Sequence, residues 1–168
     1  MGDYSLELAR AADAARLADM SRSLIEAGLR PSWTASRIGW HIRNPDSVVL
    51  TAKAGTVSFG APLVVGFAIM RYGEDVAHLN LLAVEPVHRR RGVARQLIRW
   101  LEETAETAGT FVISLELRAS NESALQFYRK LGYREVERVS GYYQGVEPAI
   151  RMSRDVRVAA HPAPASPR

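Results

Sequence analysis

The run Val84-Glu85-Pro86-Val87-His88-Arg89-Arg90-Arg91-Gly92-Val93-Ala94-Arg95 holds the chain's clearest chemistry. An apolar stretch (Leu79, Leu81, Leu82, Ala83, Val84) stops at a proline, passes four basic residues and enters a helix through Gly92. The first N–H groups of a helix have no partners inside it, and the helix dipole favours an anion there. Gly92 and Ala94 carry almost no side chain, so the backbone there can approach a ligand closely. These residues make a cradle for a phosphate group and point to a phosphorylated cofactor. The bland reading, a solvated basic surface, explains the arginines but not the glycine-opened helix behind them.

Several elements must hold that cradle in place. Ser5 to Ala9 alternates as a strand, and Asp13 can cap a helix running to about Ala27, with Leu17, Met20, Leu24 and Ile25 on one face. Pro31 with Ser32 is expected to precede a second helix through Trp33, Ile38 and Trp40 to Arg43, followed by a turn at Asn44-Pro45-Asp46. Val48 to Lys53, Val64 to Arg71 and Val76 to Val84 read as strands, the first two paired as a meander across a connection at 55–60. Val93, Leu97, Leu101 and Ala105 recur every fourth residue, giving an amphipathic helix to Ala108. A strand at Phe111 to Leu117, a helix at Glu122 to Leu131 and strands at Tyr133 to Val139 and Ala149 to Val156 complete the order. Strands and helices in this order make an α+β, or mixed α/β, sheet covered by helices. The two strand–helix–strand units, 76–117 and 111–139, are expected to cross over right-handed. Residues 1–156 form one domain in this reading, and 157–168, with Pro162, Pro164 and Pro167, a disordered tail.

Composition narrows the function. The 168 residues contain no cysteine, which removes disulfides, cysteine-ligated zinc and a cysteine-bound acyl group. His41, His78, His88 and His161 show no metal-ligand spacing, so no metal is expected. No apolar run approaches a membrane span and no secretory signal opens the chain, so a cytoplasmic protein is expected. The net charge of +4 is mild, and three of the charges sit at Arg89–Arg91. No aromatic–basic reading surface accompanies them, so no nucleic-acid partner is expected.

The stretch Arg89-Arg90-Arg91-Gly92-Val93-Ala94 after a strand resembles the Q/R-x-x-G-x-G/A signature of the GNAT superfamily of acetyl-CoA-dependent N-acetyltransferases. A second block, Leu115-Glu116-Leu117-Arg118-Ala119-Ser120-Asn121 with Ala124, Tyr128, Leu131, Gly132 and Tyr133, is similar to the other conserved block of that superfamily. Within it the chain is similar to the RimI type, which acetylates the N-terminal alanine amine of a ribosomal protein. Gly141-Tyr142-Tyr143 with Glu147 and Ala149 resembles that type's tyrosine-rich acidic loop, although Pro148 replaces a second acidic residue. The resemblance covers about residues 5–155. It implies a central, mostly antiparallel twisted sheet of six to seven strands flanked by about four helices.

The resemblance also implies roles. The backbone of Leu82, Ala83 and Val84 would hold the pantetheine arm of acetyl-CoA, and Arg89 to Arg95 its pyrophosphate. Asn121, also a natural helix cap, would meet the cosubstrate from the other side. Acetyl transfer to an amine needs a base for the ammonium proton, a donor for the developing oxyanion and a proton for the leaving thiolate. Glu116 or His78, or both through water, would be the base. Alternation along the strand is expected to put His78 on one face with Asn80 and Leu82. Tyr128 would be the proton donor, and direct attack without a covalent intermediate is expected. Trp33 is a candidate for the acceptor side, with plain packing as the alternative, and Tyr142 and Tyr143, read as a loop pair, are expected to face the acceptor. The acceptor is expected to be the N-terminal amine of a peptide or protein. A small amine (polyamine, amino acid or antibiotic) is the alternative, and a non-catalytic CoA-binding module another. The protein is expected to be a monomer or homodimer.

Overall fold

Strict alternation of buried and open positions marks Val112–Arg118, where Ile113, Leu115 and Leu117 point into the core and Ser114, Glu116 and Arg118 point away. That strand is near the middle of one sheet in a computed structural model that describes residues 4–55, 60, 62–143, 145 and 147–159. The strands are β1 (Tyr4–Leu8), β2 (Ser47–Ala54), β3 (Leu63–Tyr72), β4 (Val76–Val84), β5 (Val112–Arg118), β6 (Arg134–Tyr143) and β7 (Glu147–Asp155). Their order across the sheet is β1-β2-β3-β4-β5-β7-β6. Among the described residues only the β4–β5 pairing is parallel. The helices are α1 (Ala14–Leu24), α2 (Ala35–Arg43), α3 (Val93–Thr107) and α4 (Glu122–Lys130). This is the expected α+β sheet flanked by helices. Among the described residues no helix is long and apolar enough to cross a membrane. The 157–168 tail, apart from 157–159, and most of the 55–60 connection lie outside the described residues.

Each face of the sheet carries its own core. On one, Leu97, Ile98, Leu101 and Ala105 of α3 and Leu125 and Tyr128 of α4 pack on Ala77, Leu79, Ile113, Leu115, Leu117, Ile150 and Met152. Fully burying a leucine such as Leu97 or Leu101 contributes about 2–3 kcal/mol, so α3 is firmly seated. On the other face α1 and α2 place Leu17, Met20 and Ile38 on Val49, Phe67, Ile69, Leu81 and Ala83.

Three local departures from the sequence reading have physical causes. α1 stops at Leu24, short of Ala27, because Glu26 is buried and collects donors across the following segment. They are Ser21 Oγ at 3.2 Å, Ser32 N at 2.6 Å, Ser32 Oγ at 2.8 Å and Trp33 N at 3.3 Å. Asp13 does not cap α1; its carboxylate turns back to the Arg10 N–H at 2.8 Å. Trp33 precedes α2 instead of lying in it, since the Thr34 side chain caps that helix by accepting from Arg37 N.

The 111–139 unit also differs. β6 is not beside β5; the chain lays β6 at the edge and returns as β7 between them. β6 suits an edge because Arg134, Glu135, Glu137 and Arg138 are exposed, whereas Ala149, Ile150 and Met152 of β7 fill the interior position.

Candidate active site

β4 holds the two halves of the site in relation. Its pairing with β3 runs from Met70↔Leu79 directly to Ile69↔Leu81, leaving Asn80 as one extra residue. A bulge of one residue reverses the side-chain alternation beyond it. Ala77 and Leu79 therefore share the α3–α4 face, while Leu81 and Ala83 share the α1–α2 face. His78 accordingly lies on the α1–α2 face and Leu82 on the other, which corrects the expectation that they share one. Strict alternation fails here because it assumes an unbroken strand. The buried Oδ1 of Asn80 has no hydrogen-bond partner at this point.

β4 and β5 pair only from Val76↔Val112 to Leu79↔Leu115. Beyond that the strands fork. Leu82, Ala83 and Val84 pair with Ala68, Phe67 and Gly66 of β3, and no pairing to β5 covers their other edge.

Past the end of β4 the chain makes a short turn at Pro86–His88 and enters α3. Arg90 has φ 61° and Gly92 φ 80°, both left-handed, so the turn is tightly coiled just before the helix. Gln96 N donates to Gly92 O at 3.0 Å as the first helical bond. The N–H groups of Gly92 to Arg95 thus form the open first turn. Among the described residues no carbonyl accepts from Arg90 or Arg91 N–H either. A Cβ on Gly92 would meet nothing within 4 Å, so conformation, not crowding, requires the glycine.

Side chains anchor this loop. Arg89 Nε donates to Val84 O at 3.0 Å, so Arg89 clips the turn to its own strand. Tyr4 OH and His88 Nδ1 lie 3.0 Å apart, and Arg16 of α1 bonds Glu85 at 2.8 Å. Arg90, Arg91 and Arg95 are exposed, Ala94 is half-buried and the Val93 side chain is buried in the core. Any ligand contact by Val93 is therefore through its backbone.

On the α1–α2 face, cross-strand register gathers ionisable groups beside the fork. Ser114 pairs with His78, and Glu116 pairs with Arg151, which pairs in turn with Glu137. His78 Nδ1 is 2.9 Å from Ser114 Oγ, and His78 Nε2 is 3.4 Å from Glu116 Oε2. Glu116 accepts from Tyr142 OH at 2.9 Å and from Arg151 Nε at 3.1 Å. Burial, then the hydrogen bond to Glu116, pushes the Tyr142 phenol above its ordinary value. His78 and Glu116, read from sequence as rivals, form one contact pair.

Tyr128 approaches from the opposite face, buried among Leu125, Leu115 and Leu117. Its ring meets Phe127 and Tyr133 edge-on at 5.1 and 5.5 Å, and burial raises its pKa strongly. Asn121 caps α4, accepting from Ala124 N at 3.1 Å, at the end of β5. Trp33 packs on His41 at 5.2 Å under the Arg37 guanidinium, so its ring partners belong to α2 and not to the Glu116 group. Tyr142 and Tyr143 end strand β6, which corrects their reading as a loop pair. Glu147 is drawn to Ser120 and Arg118.

Sequence reasoning passes over Ser114, Arg151 and Glu137. Some signal exists: Arg151 is a charged residue between the buried Ile150 and Met152, as Glu116 is between two leucines. The missing piece is the strand order that sets β7 against β5.

Comparison with known proteins places this framework. The sequence model described as acetyltransferase (GNAT) family matches residues 14–133. A [ribosomal protein bS18]-alanine N-acetyltransferase of Salmonella typhimurium is 40% identical over 93 residues, 54% of this chain. That match spans 63% of the relative's own length, less than two thirds. The ribosomal-protein-S18-alanine N-acetyltransferase of Escherichia coli superposes with a TM-score of 0.76 at 23% identity, over 96% of this chain and 98% of that one. Arabidopsis thaliana NAA60 in complex with acetyl-CoA gives 0.77 at 18% identity, over 93% and 100%. At these identities the structural likeness is one of fold. The sequence match runs from α1 through the arginine loop, the fork and α4, and on that ground the chain belongs to the acetyltransferase (GNAT) family.

Proposed function

We propose that this protein transfers an acetyl group from acetyl-CoA to the N-terminal amine of a peptide or protein. The observation that carries the reading is the β4–β5 fork. One strand leads from the His78–Glu116 pair, past the edge of Leu82–Val84 that β5 leaves uncovered, into the open amides of Arg90–Arg95. A phosphorylated thioester with a long arm fits this arrangement end to end. Its phosphates would meet the first turn of α3 and the exposed Arg90, Arg91 and Arg95, and its arm the free edge of β4. The S. typhimurium relative acts on an N-terminal alanine, and the NAA60 structure holds acetyl-CoA; both support the reading.

Acetyl-CoA supplies the thioester carbon. Glu116 and His78 take the proton of the incoming ammonium, acting as one unit because their side chains touch. A backbone N–H at Leu82–Val84 donates to the carbonyl oxygen as it gains charge. The amine nitrogen bonds to the acetyl carbon as the carbon–sulfur bond breaks, and Tyr128 gives a proton to the sulfur; the second N–H proton, shed by the nitrogen as the amide forms, restores the phenol through solvent. Burial keeps that phenol neutral, so it arrives with its proton in place. Asn121 borders the fork at the start of α4, and Tyr142 stands at the acceptor side. The test is consumption of acetyl-CoA with N-terminal peptides, polyamines and amino-acid amines side by side. Turnover with peptides supports the reading; turnover with small amines alone reassigns the acceptor.

A further inference from the structure

Arg151 is the charged centre of the row across β5, β7 and β6. It stands opposite Glu116 on one side and Glu137 on the other. Its Nε donates to Glu116 Oε1 at 3.1 Å and its Nη1 donates to Glu137 Oε2. One oxygen of Glu116 is thus tied to β7. The other, Oε2, is left facing His78 at 3.4 Å and the Tyr142 hydroxyl at 2.9 Å. A glutamate on a strand has several rotamers, and a guanidinium holding one oxygen removes most of them. Exposed pairs such as Arg129–Glu135 contribute little because water screens them. The Glu116 side chain is 14% exposed and that of Arg151 38%, so this pair is shielded on the carboxylate side.

We propose, resting on the acetyl-transfer reading above, that Arg151 is a positioning residue. It ties Glu116 Oε1 to β7 and so aims Oε2 at the β4–β5 fork, while Glu137 holds the other end of the guanidinium. The groups around Glu116 are His78 from β4, with Ser114 behind it on β5, Arg151 from β7, and Tyr142 and Glu137 from β6. Arg118, two residues along β5, is turned to the Ile25 carbonyl after α1 at 3.0 Å and to Glu147 at 3.8 Å.

The test is steady-state kinetics of the full chain with acetyl-CoA and a peptide acceptor. Arg151→Gln should lower kcat about tenfold, since the carboxylate is no longer held toward the fork. KM for acetyl-CoA should not change, a split that general destabilisation would not give. Arg151→Lys should recover only part of the lost kcat, because an ammonium restores charge without the planar fork. Glu137→Gln, at an exposed position, should lower kcat less than Arg151→Gln, because Arg151 keeps its bond to Glu116. An unchanged kcat in Arg151→Gln, with Glu116→Gln inactive, overturns the positioning role alone. Full turnover in Glu116→Gln overturns the reading of Glu116 as base, and the role of Arg151 with it.

Discussion

His78 Nε2 lies 3.4 Å from Glu116 Oε2, across two parallel strands whose pairing ends at the next residue, Leu79. His78 precedes Asn80, the extra residue of the bulge, and so keeps the face of Ser114 and Glu116. The two side chains touch, so they are expected to act as one unit.

The first prediction follows from that pairing. His78→Ala and Glu116→Gln should each lower kcat by about 10²–10³-fold, the range for loss of a general base. The double variant should be little worse than the poorer single one, since residues acting as a unit are strongly non-additive. A fully multiplicative loss would show that they act separately.

Gly92→Ala should weaken acetyl-CoA binding while leaving the fold intact. The φ of 80° costs an alanine about 1–2 kcal/mol, and relief of that strain would move the amides of the first turn. Gly92→Glu should bind more weakly still, because it adds a negative charge beside a phosphate site. Calorimetric titration with acetyl-CoA checks both, and unchanged affinity in Gly92→Glu would place the phosphates elsewhere.

Tyr128→Phe keeps the buried ring and removes only the hydroxyl. Turnover should fall about 10²–10⁴-fold with little change in KM for acetyl-CoA, as expected when a proton donor is lost. Burial raises the phenol's native pKa above the ordinary 10.0, so the neutral form is the one the fold favours. The stability linked to that proton is present below pH 10 and is lost as pH rises through the higher native value. Ultraviolet titrations of the wild-type and Tyr128→Phe chains should therefore superimpose up to about pH 10.

Glu26→Ala should loosen the segment between α1 and α2. It removes the acceptor for Ser21, Ser32 and Trp33 at a buried site, which costs about 1–3 kcal/mol. Thermal unfolding should show the loss, and hydrogen exchange should rise at Ser32 and Trp33.

Much of this is legible in residue order. Leu97, Leu101 and Ala105 mark α3, and Gly92 with the arginines before it marks the loop, because helix periodicity and left-handed turns are local. The register of distant strands is not local. Nothing in Arg151 or Glu137 alone says that β7 enters between β5 and β6. Asn80 gives no warning that it is the extra residue of a bulge, so alternation misjudges the face of His78 relative to Leu82. Trp33 falls outside α2 because the Thr34 side chain caps that helix, and its N–H goes instead to the buried Glu26, a contact invisible to helix propensity.

The most direct test is mass spectrometry of N-terminal peptides incubated with acetyl-CoA and either the wild-type chain or Glu116→Gln. The wild type should acetylate the α-amine, and the variant should lose this activity while still binding acetyl-CoA. Peptides left unmodified by the wild type, or modified equally by both proteins, would contradict the acetyl-transfer reading.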